Sequence, residues 1–331
     1  VGRERFRHHF KQAAERSLVT PSAASTPRPR AYRHDALFYD GPDEFHASVS
    51  AFLADAMAVG EPTLVVASAG KIEPLRDVVD ADMVQLADMG EVGRNPARII
   101  PTWRAFVESH PSTTVRGVGE PITTDRGRDD LVEAQHMEAL LNVAFTDADD
   151  FWLRCPYDVG ALDPTVVDEA RRSHPFIVQG DSEVSSDRYE GPEAATSAVL
   201  DAPLPEPAAA PAAFTLRPGR LKQFRRFVAE QATAAGLEES RVGDLVLAAN
   251  EIASNSLLYA GGGADVRIWR DRAVVCEVRD GGVITDPLIG RVVPGDEEHD
   301  SRGLWMVNQV CDIVQIRSTA QGSVVRLHVH P

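Results

Sequence analysis

The sequence predicts an α/β protein in two main parts: an N-terminal α/β domain with a largely parallel sheet, and a C-terminal α/β sandwich. Three observations carry this. Over 32–188, short β-branched runs alternate with segments of helical period, the order that parallel βαβ units require. Over 214–331, two amphipathic helices come first, and two strand pairs follow with a helical segment between them. Between these parts, 189–213 ends in PLPEPAAAPAA, a Pro/Ala stretch that builds no core and reads as an extended, semi-rigid spacer. Residues 1–31 form a basic tail expected to be disordered.

In the first part, Ala36–Tyr39 reads as a strand. Asp43 to Val59 has helical spacing, with Phe45, Val49, Phe52, Leu53 and Met57 on one side. Pro62 to Ser68 is a β-branched run. Asn95-Pro96 reads as a helix start, Asn capping free N–H groups and Pro taking the first helical position. Residues 112–117 read as a strand, 131–144 as a helix and 151–156 as a strand. In the second part, helices are expected over 221–235 and 241–260, the latter ended by Gly261-Gly262-Gly263. Strands follow over 265–269 and 274–278, a helix over 303–310, and strands over 313–317 and 323–329.

Composition narrows the function. The 331 residues carry a net charge of -16 and are 43% hydrophobic, which argues for a globular protein and against a nucleic-acid binder. The charge is uneven: Arg3, Arg5, Arg7, Lys11, Arg16, Arg28, Arg30 and Arg33 face only Glu4 and Glu15 in the first 33 residues. Cys155, Cys276 and Cys311 form no C-x-x-C pair, which suits a reducing cytoplasm and argues against a zinc site or a disulfide framework. No apolar run reaches the length of a membrane span, and no apolar signal region opens the chain, whose first residue is Val1. The expectation is a cytoplasmic protein without nucleic-acid or membrane partners.

The chemistry concentrates after residue 240. On the helix 241–260, Val242, Leu245, Val246, Ala249, Ile252 and Ala253 form the apolar side. Asp244, Ala248, Glu251 and Asn255 follow another stripe, so Glu251 and Asn255 project together one turn apart and away from the core. That pattern alone is common on solvated helix faces. Asp280-Gly281-Gly282 then ends an apolar strand with a carboxylate able to accept from an adenine amino group, beside glycines that admit close approach. Gly303 opens the next helix after a polar loop, 296–302, and a helix N-terminus is an anion site, with Arg302 adding a positive charge. Three weak motifs in this order within one domain are together fairly specific.

On these residues the second domain resembles the GHKL, or Bergerat-fold, ATP-binding family, and within it the anti-sigma-factor serine/threonine kinases. The resemblance covers 214–331. It implies ATP and Mg²⁺ as cofactors, Asn255 as the Mg²⁺ ligand through its side-chain oxygen, and Glu251 as the general base that activates an attacking hydroxyl. It matches Asp280 and Gly282 to the first glycine box, Gly303-Leu304 to the second, and Gly322-Ser323 to the last strand, where a hydroxyl often lies near the adenine. The sequence departs at Ile284 and Ser301, where the family has glycines, and at Tyr259, often His. A histidine kinase would need a phosphoacceptor histidine on a preceding helical hairpin, and LKQFRRFVAEQATAA has none.

The first domain resembles the MEDS sensory family over about 32–180. The residues that carry this are 34–39 (HDALFY), 93–96 (GRNP), 116–121 (RGVGEP) and 138–142 (EALLN). The resemblance implies a sensory role toward a small-molecule signal. Arg116, Glu120, His136 and Glu138 are candidates for its pocket, while Arg116 and Glu120 read equally well as a structural ion pair. Val65 to Ile72 resembles a P-loop at Gly70-Lys71 but has Val65 in place of the leading glycine and Ile72 in place of the Mg²⁺-binding hydroxyl.

The expectation is a regulator of a sigma factor in transcription and stress response. Its partners would be the sigma factor and a STAS-type anti-sigma-factor antagonist that it phosphorylates, and it would act as a homodimer if it follows the kinase family. The competing reading is a nucleotide-gated partner-binding module without phosphoryl transfer. A basic-tailed DNA-binding sensor is a third and weaker one.

Overall fold

The computed structural model describes residues 31–148, 150–295 and 299–331. The basic tail read from the sequence lies, but for residue 31, outside them. The chain forms two compact units, the first from residues up to 92 with 102–124 and 144–189, the second from 93–101, 125–143 and 190–331. In chain order the elements begin β1 (Arg33–Tyr39), α1 (Gly41–Val59), β2 (Thr63–Ala67), α2 (Ala69–Ile72), β3 (Val84–Asp88), α3 (Met89–Val92), α4 (Ile99–Glu108), β4 (Val115–Gly119), α5 (Arg128–Ala144), β5 (Phe151–Asp158), α6 (Pro164–Ser173), β6 (Phe176–Gln179) and β7 (Ser182–Ser185). They continue with α7 (Gly191–Asp201), β8 (Ala212–Leu216), α8 (Leu221–Ala234), α9 (Glu239–Tyr259), β9 (Ala264–Arg270), β10 (Val274–Asp280), α10 (His299–Val310), β11 (Ile313–Thr319) and β12 (Gly322–Val329).

In the first unit the sheet order is β3-β2-β4-β5-β1-β6-β7, parallel throughout except for β7 at one edge. Helix α1 starts with Pro42 in its first turn and stops at Gly60, whose φ of 72° closes the helix in the left-handed conformation. Its buried Phe45, Val49, Phe52 and Leu53 pack with Leu37, Tyr39 and Val65. On β4, Gly117 and Gly119 leave room for an indole: a Cβ on either would come within 3 Å of the Trp103 ring.

The second unit holds a fully antiparallel sheet, β11-β12-β10-β9-β8. One face is apolar: Val266, Ile268, Cys276, Val278, Val325 and Leu327 form a single core with Phe224 and Val228 of α8, Leu245, Ala249 and Ile252 of α9, and Leu304 and Val307 of α10. The other face carries a buried polar row. Register sets Gln315 opposite Arg326, Arg326 opposite Glu277, and Glu277 opposite Arg267. Glu277 accepts from Arg267 at 2.8 Å, Arg279 at 2.6 Å and Arg326 at 2.7 Å. Burial pushes its carboxyl up, but these guanidinium bonds outweigh burial and hold it at about 2.

Several elements differ from the sequence reading. The spacer is not extended throughout: Gly191–Asp201 is helical, and Glu206 pairs with Arg267 and Arg279 of the sheet. The last two spacer residues, Ala212 and Ala213, open an edge strand, Ala212–Leu216, paired to β9. Strands β3, β6 and β7 and helix α6 were not read at all. Asn95 does cap as expected, accepting from the Ala97 N–H, but the turn it starts is a short 3-10 segment, Pro96–Arg98.

Candidate functional site

The candidate site lies in the second unit, where α9, the end of β10 and the start of α10 meet. Helix α9 buries Leu245, Ala248, Ala249, Ile252, Ala253 and Ser256. Ala248, assigned from the sequence to the outward stripe, is therefore in the core. Glu251 and Asn255 are half-buried at the edge of that face, so they are held by the helix while their tips stay reachable.

Helix α10 begins at His299, one turn earlier than the sequence placed it, so Gly303 lies inside the helix rather than at its N-terminus. Its role is close approach. A Cβ at 303 would come 3.0 Å from Glu251 Oε2 and 3.8 Å from Asn255 Nδ2. The structure thus brings Glu251, Asn255 and the α10 backbone together, and only glycine leaves that space open. Arg302 is exposed and donates to the Gly295 carbonyl at 3.4 Å. Leu304 is buried in the core, so its side chain serves packing and only its backbone belongs to the site.

Asp280 is fixed on both oxygens. Oδ2 accepts from Ser256 Oγ at 2.5 Å and Oδ1 from the Gly282 N–H at 2.9 Å. Each carboxylate oxygen retains a second lone pair for a donor. Gly282 sits tightly here, its Cβ position 3.0 Å from the Ala260 Cβ. Ser323, opposite Asp280 across the β10–β12 pair, is buried and donates to the Gly282 carbonyl at 2.8 Å, so it braces the turn. The loop continues into Ile284, whose N–H donates to Ser318 Oγ at 2.7 Å and whose side chain packs on the core.

These residues fit a magnesium nucleotide. An amide and a carboxylate one turn apart offer the hard oxygen and the basic group, a fixed aspartate offers an acceptor, and a glycine keeps a cradle open between them. Residues 214–329 match the family described as histidine kinase-like ATPase domain, and residues 33–175 match MEDS, the methanogen/methylotroph, DcmR sensory domain. The chain thus carries a stretch similar to the MEDS family followed by one similar to the histidine kinase-like ATPase family. Among curated proteins none matches. Of solved structures, the chain is similar to the RsbU and RsbW domains of Rv1364c from Mycobacterium tuberculosis, at 21% identity and a TM-score of 0.29. That match covers 37% of this chain and about a third, 32%, of the other.

In the region matching MEDS, the structure does not bring Arg116 and Glu120 together. Arg116 is fully buried, ion-paired with Glu61 at 2.5 Å and Asp55 at 2.7 Å, its guanidinium over the rings of Phe52 and Trp152. Glu120 follows β4 and accepts from Tyr39 Oη at 2.6 Å and from Lys71. Burial pushes the Glu120 carboxyl up, against the pull of Lys71, and burial beside that carboxylate pushes the Tyr39 phenol up as well. The lysine of the P-loop-like stretch is thus bound to a carboxylate. His136 and Glu138 belong to the second unit, where His136 lies 3.6 Å from Glu133.

Sequence reasoning missed Ser256, which orients Asp280, and Ala260, which backs Gly282. The signal for Ser256 was its place: three turns of apolar spacing on α9 lead to a small hydroxyl on the buried face.

Proposed function

We propose that this chain is an anti-sigma-factor regulator whose histidine kinase-like ATPase domain phosphorylates a serine or threonine of an anti-sigma-factor antagonist, under control of the MEDS domain. The observation that carries this is the close approach of the α10 backbone at Gly303 to Glu251 and Asn255. Asn255 and the glycine-bounded cradle would hold Mg²⁺-ATP, with Asp280 as acceptor for the adenine amino group. Bound ATP supplies the transferable phosphoryl group and ADP as its leaving group. Glu251 takes the proton of the incoming protein hydroxyl. Asn255 orients, and the core packing of Leu304 fixes the register of α10. The added phosphate carries roughly two negative charges and would oppose rebinding of the modified antagonist. Helix α8 offers no histidine as an acceptor, which favours a hydroxyl on another protein.

A second reading has one observation in its favour. Ile284, standing where the family has glycine, is tied to Ser318 and to the core, which restricts the loop after Asp280 and suits a nucleotide-gated binder. Transfer of labelled γ-phosphate with Mg²⁺ to candidate antagonists separates the two. Label on a serine or threonine, lost in Glu251→Gln and Asn255→Ala, supports the kinase. Nucleotide-dependent partner binding with no label in the unmodified chain supports the binder.

A further inference from the structure

The first unit contains a buried group of donors that the ATPase reading does not use. His34 on β1, Cys155 on β5 and His174 at the end of α6 are all buried, and each places a ligand atom within 4.8 Å of the others. The parallel register sets His34 beside Leu153 and Ala36 beside Cys155, so His34 and Cys155 are diagonal neighbours on one face of the sheet. Asp35, Trp152 and Arg154 occupy the opposite face as a hydrogen-bonded set. His174 caps α6 and closes over the first face, its ring centroid 4.1 Å from that of His34.

We propose that His34, Cys155 and His174 bind a borderline-soft divalent transition-metal ion, with zinc as the reference ion. Three features argue for coordination over plain packing. First, His34 Nε2 lies 3.3 Å from Cys155 Sγ. A tetrahedral zinc site, with Zn–S of about 2.3 Å and Zn–N of about 2.0 Å, sets an N···S pair at roughly 3.5 Å. Second, His174 is anchored through Nδ1, 2.9 Å from the Ala170 carbonyl and 3.0 Å from Ser173 Oγ. A backbone acceptor on one ring nitrogen fixes the tautomer and assigns coordination to Nε2, the outer-shell arrangement typical of metal-bound histidine. Third, aromatic rings enclose the group, Tyr32 stacking on His34 and Tyr157 meeting His174 edge-on. Burying two imidazoles and a thiol among these rings costs desolvation that aliphatic side chains would not. Two nitrogens and a sulfur select zinc-like ions over magnesium or calcium. They leave one tetrahedral position for a further donor. Binding converts the thiol to a metal-bound thiolate and releases its proton to solvent.

The inference does not depend on the phosphoryl-transfer reading, and its test reads metal directly. The full chain is stripped with a chelator and titrated with Co²⁺, then with Zn²⁺. One equivalent of Co²⁺ should give visible bands of tetrahedral geometry and a thiolate-to-cobalt charge-transfer band, both displaced by Zn²⁺. Cys155→Ser should abolish the charge-transfer band, and His174→Ala should weaken Zn²⁺ binding at least about a hundredfold, more than loss of an outer-shell partner would. Cys276→Ser should leave both unchanged. Circular dichroism of Cys155→Ser checks the fold, and the titration of the unmodified chain stands whether or not that variant folds. Absence of a thiolate band in the unmodified chain, or its persistence in Cys155→Ser, overturns the proposal and leaves a hydrogen-bonded core cluster.

Discussion

At position 303 one added carbon separates function from stability. Gly303 lies inside α10, where alanine is favoured over glycine by about 1 kcal/mol. The same Cβ would press on the flexible end of Glu251, 3.0 Å away. Gly303→Ala should therefore leave the melting temperature unchanged or raised, while affinity for Mg²⁺-ATP falls about tenfold or more, as read by calorimetric titration. A loss of both together would mean that the glycine serves the fold alone. Ser256 makes the complementary case. Its hydroxyl bonds to Asp280 from a fully buried position. Ser256→Ala removes a hydrogen bond to a charged group, a cost of about 1–3 kcal/mol, and also frees Asp280 to turn. Stability and nucleotide affinity should fall together, the first read by urea unfolding and the second by titration.

At the scale of elements, the β11–β12 hairpin has no room for a side chain at its turn glycine. Gly322 has a φ of 133°, and a Cβ there would meet the Asp280 carbonyl oxygen at 2.1 Å. Gly322→Ala combines backbone strain with a clash against main chain, so it should destabilise by about 2–4 kcal/mol and loosen the turn that holds Asp280; equilibrium unfolding checks this. Gly322-Ser323 entered the candidate ATP site only through the resemblance to the last strand of the GHKL family; the sequence alone marks no more than a turn glycine beside a hydroxyl. Glu251 and Asn255 could be paired from the sequence itself, one turn apart on a helix whose apolar stripe is plain. What went unread has equally physical causes. β8 hides behind the Pro/Ala composition of the preceding residues, since an edge strand needs pairing on one side only. β3 reads VQLAD, with only one fully buried residue, so neither alternation nor a continuous apolar run marks it. The start of α10 was misplaced because Gly303 looked like a cap. His34, Cys155 and His174 are separated by more than a hundred residues at their widest, so no spacing rule joins them; the parallel register brings the first two together and the end of α6 adds the third.

On the scale of the whole molecule, the sheet of the second unit buries hydrocarbon on one face and charge on the other, and the buried charge makes its stability depend on pH. His328 on β12 donates from Nε2 to the Gln315 Oε1 at 3.0 Å within the polar row. Burial lowers the imidazole to about 4, Arg326 adding to that against the opposite pull of Asp129 and Glu133. The unfolded chain has an ordinary histidine near 6.5, so between about 6.5 and 4 the unfolded state binds more protons than the folded one. Stability therefore falls as pH drops through that window, by up to about 3 kcal/mol, and this contribution levels off below about 4. Glu277, held at about 2, acts in the next window: its stabilisation is present above the ordinary carboxyl range near 4.5 and is lost as pH falls toward 2. Glu120 in the first unit carries the opposite sign, since its raised carboxyl favours the folded state as pH falls through the range between its folded and unfolded values. His328→Gln keeps a hydrogen-bonding side chain opposite Gln315 but cannot titrate. Its unfolding free energy should change less than that of the unmodified chain between pH 7 and pH 4.5, with the two curves converging in shape below pH 4. Parallel curves across the whole range would show that His328 titrates no differently folded or unfolded, and that the acid sensitivity of this unit belongs to its carboxylates.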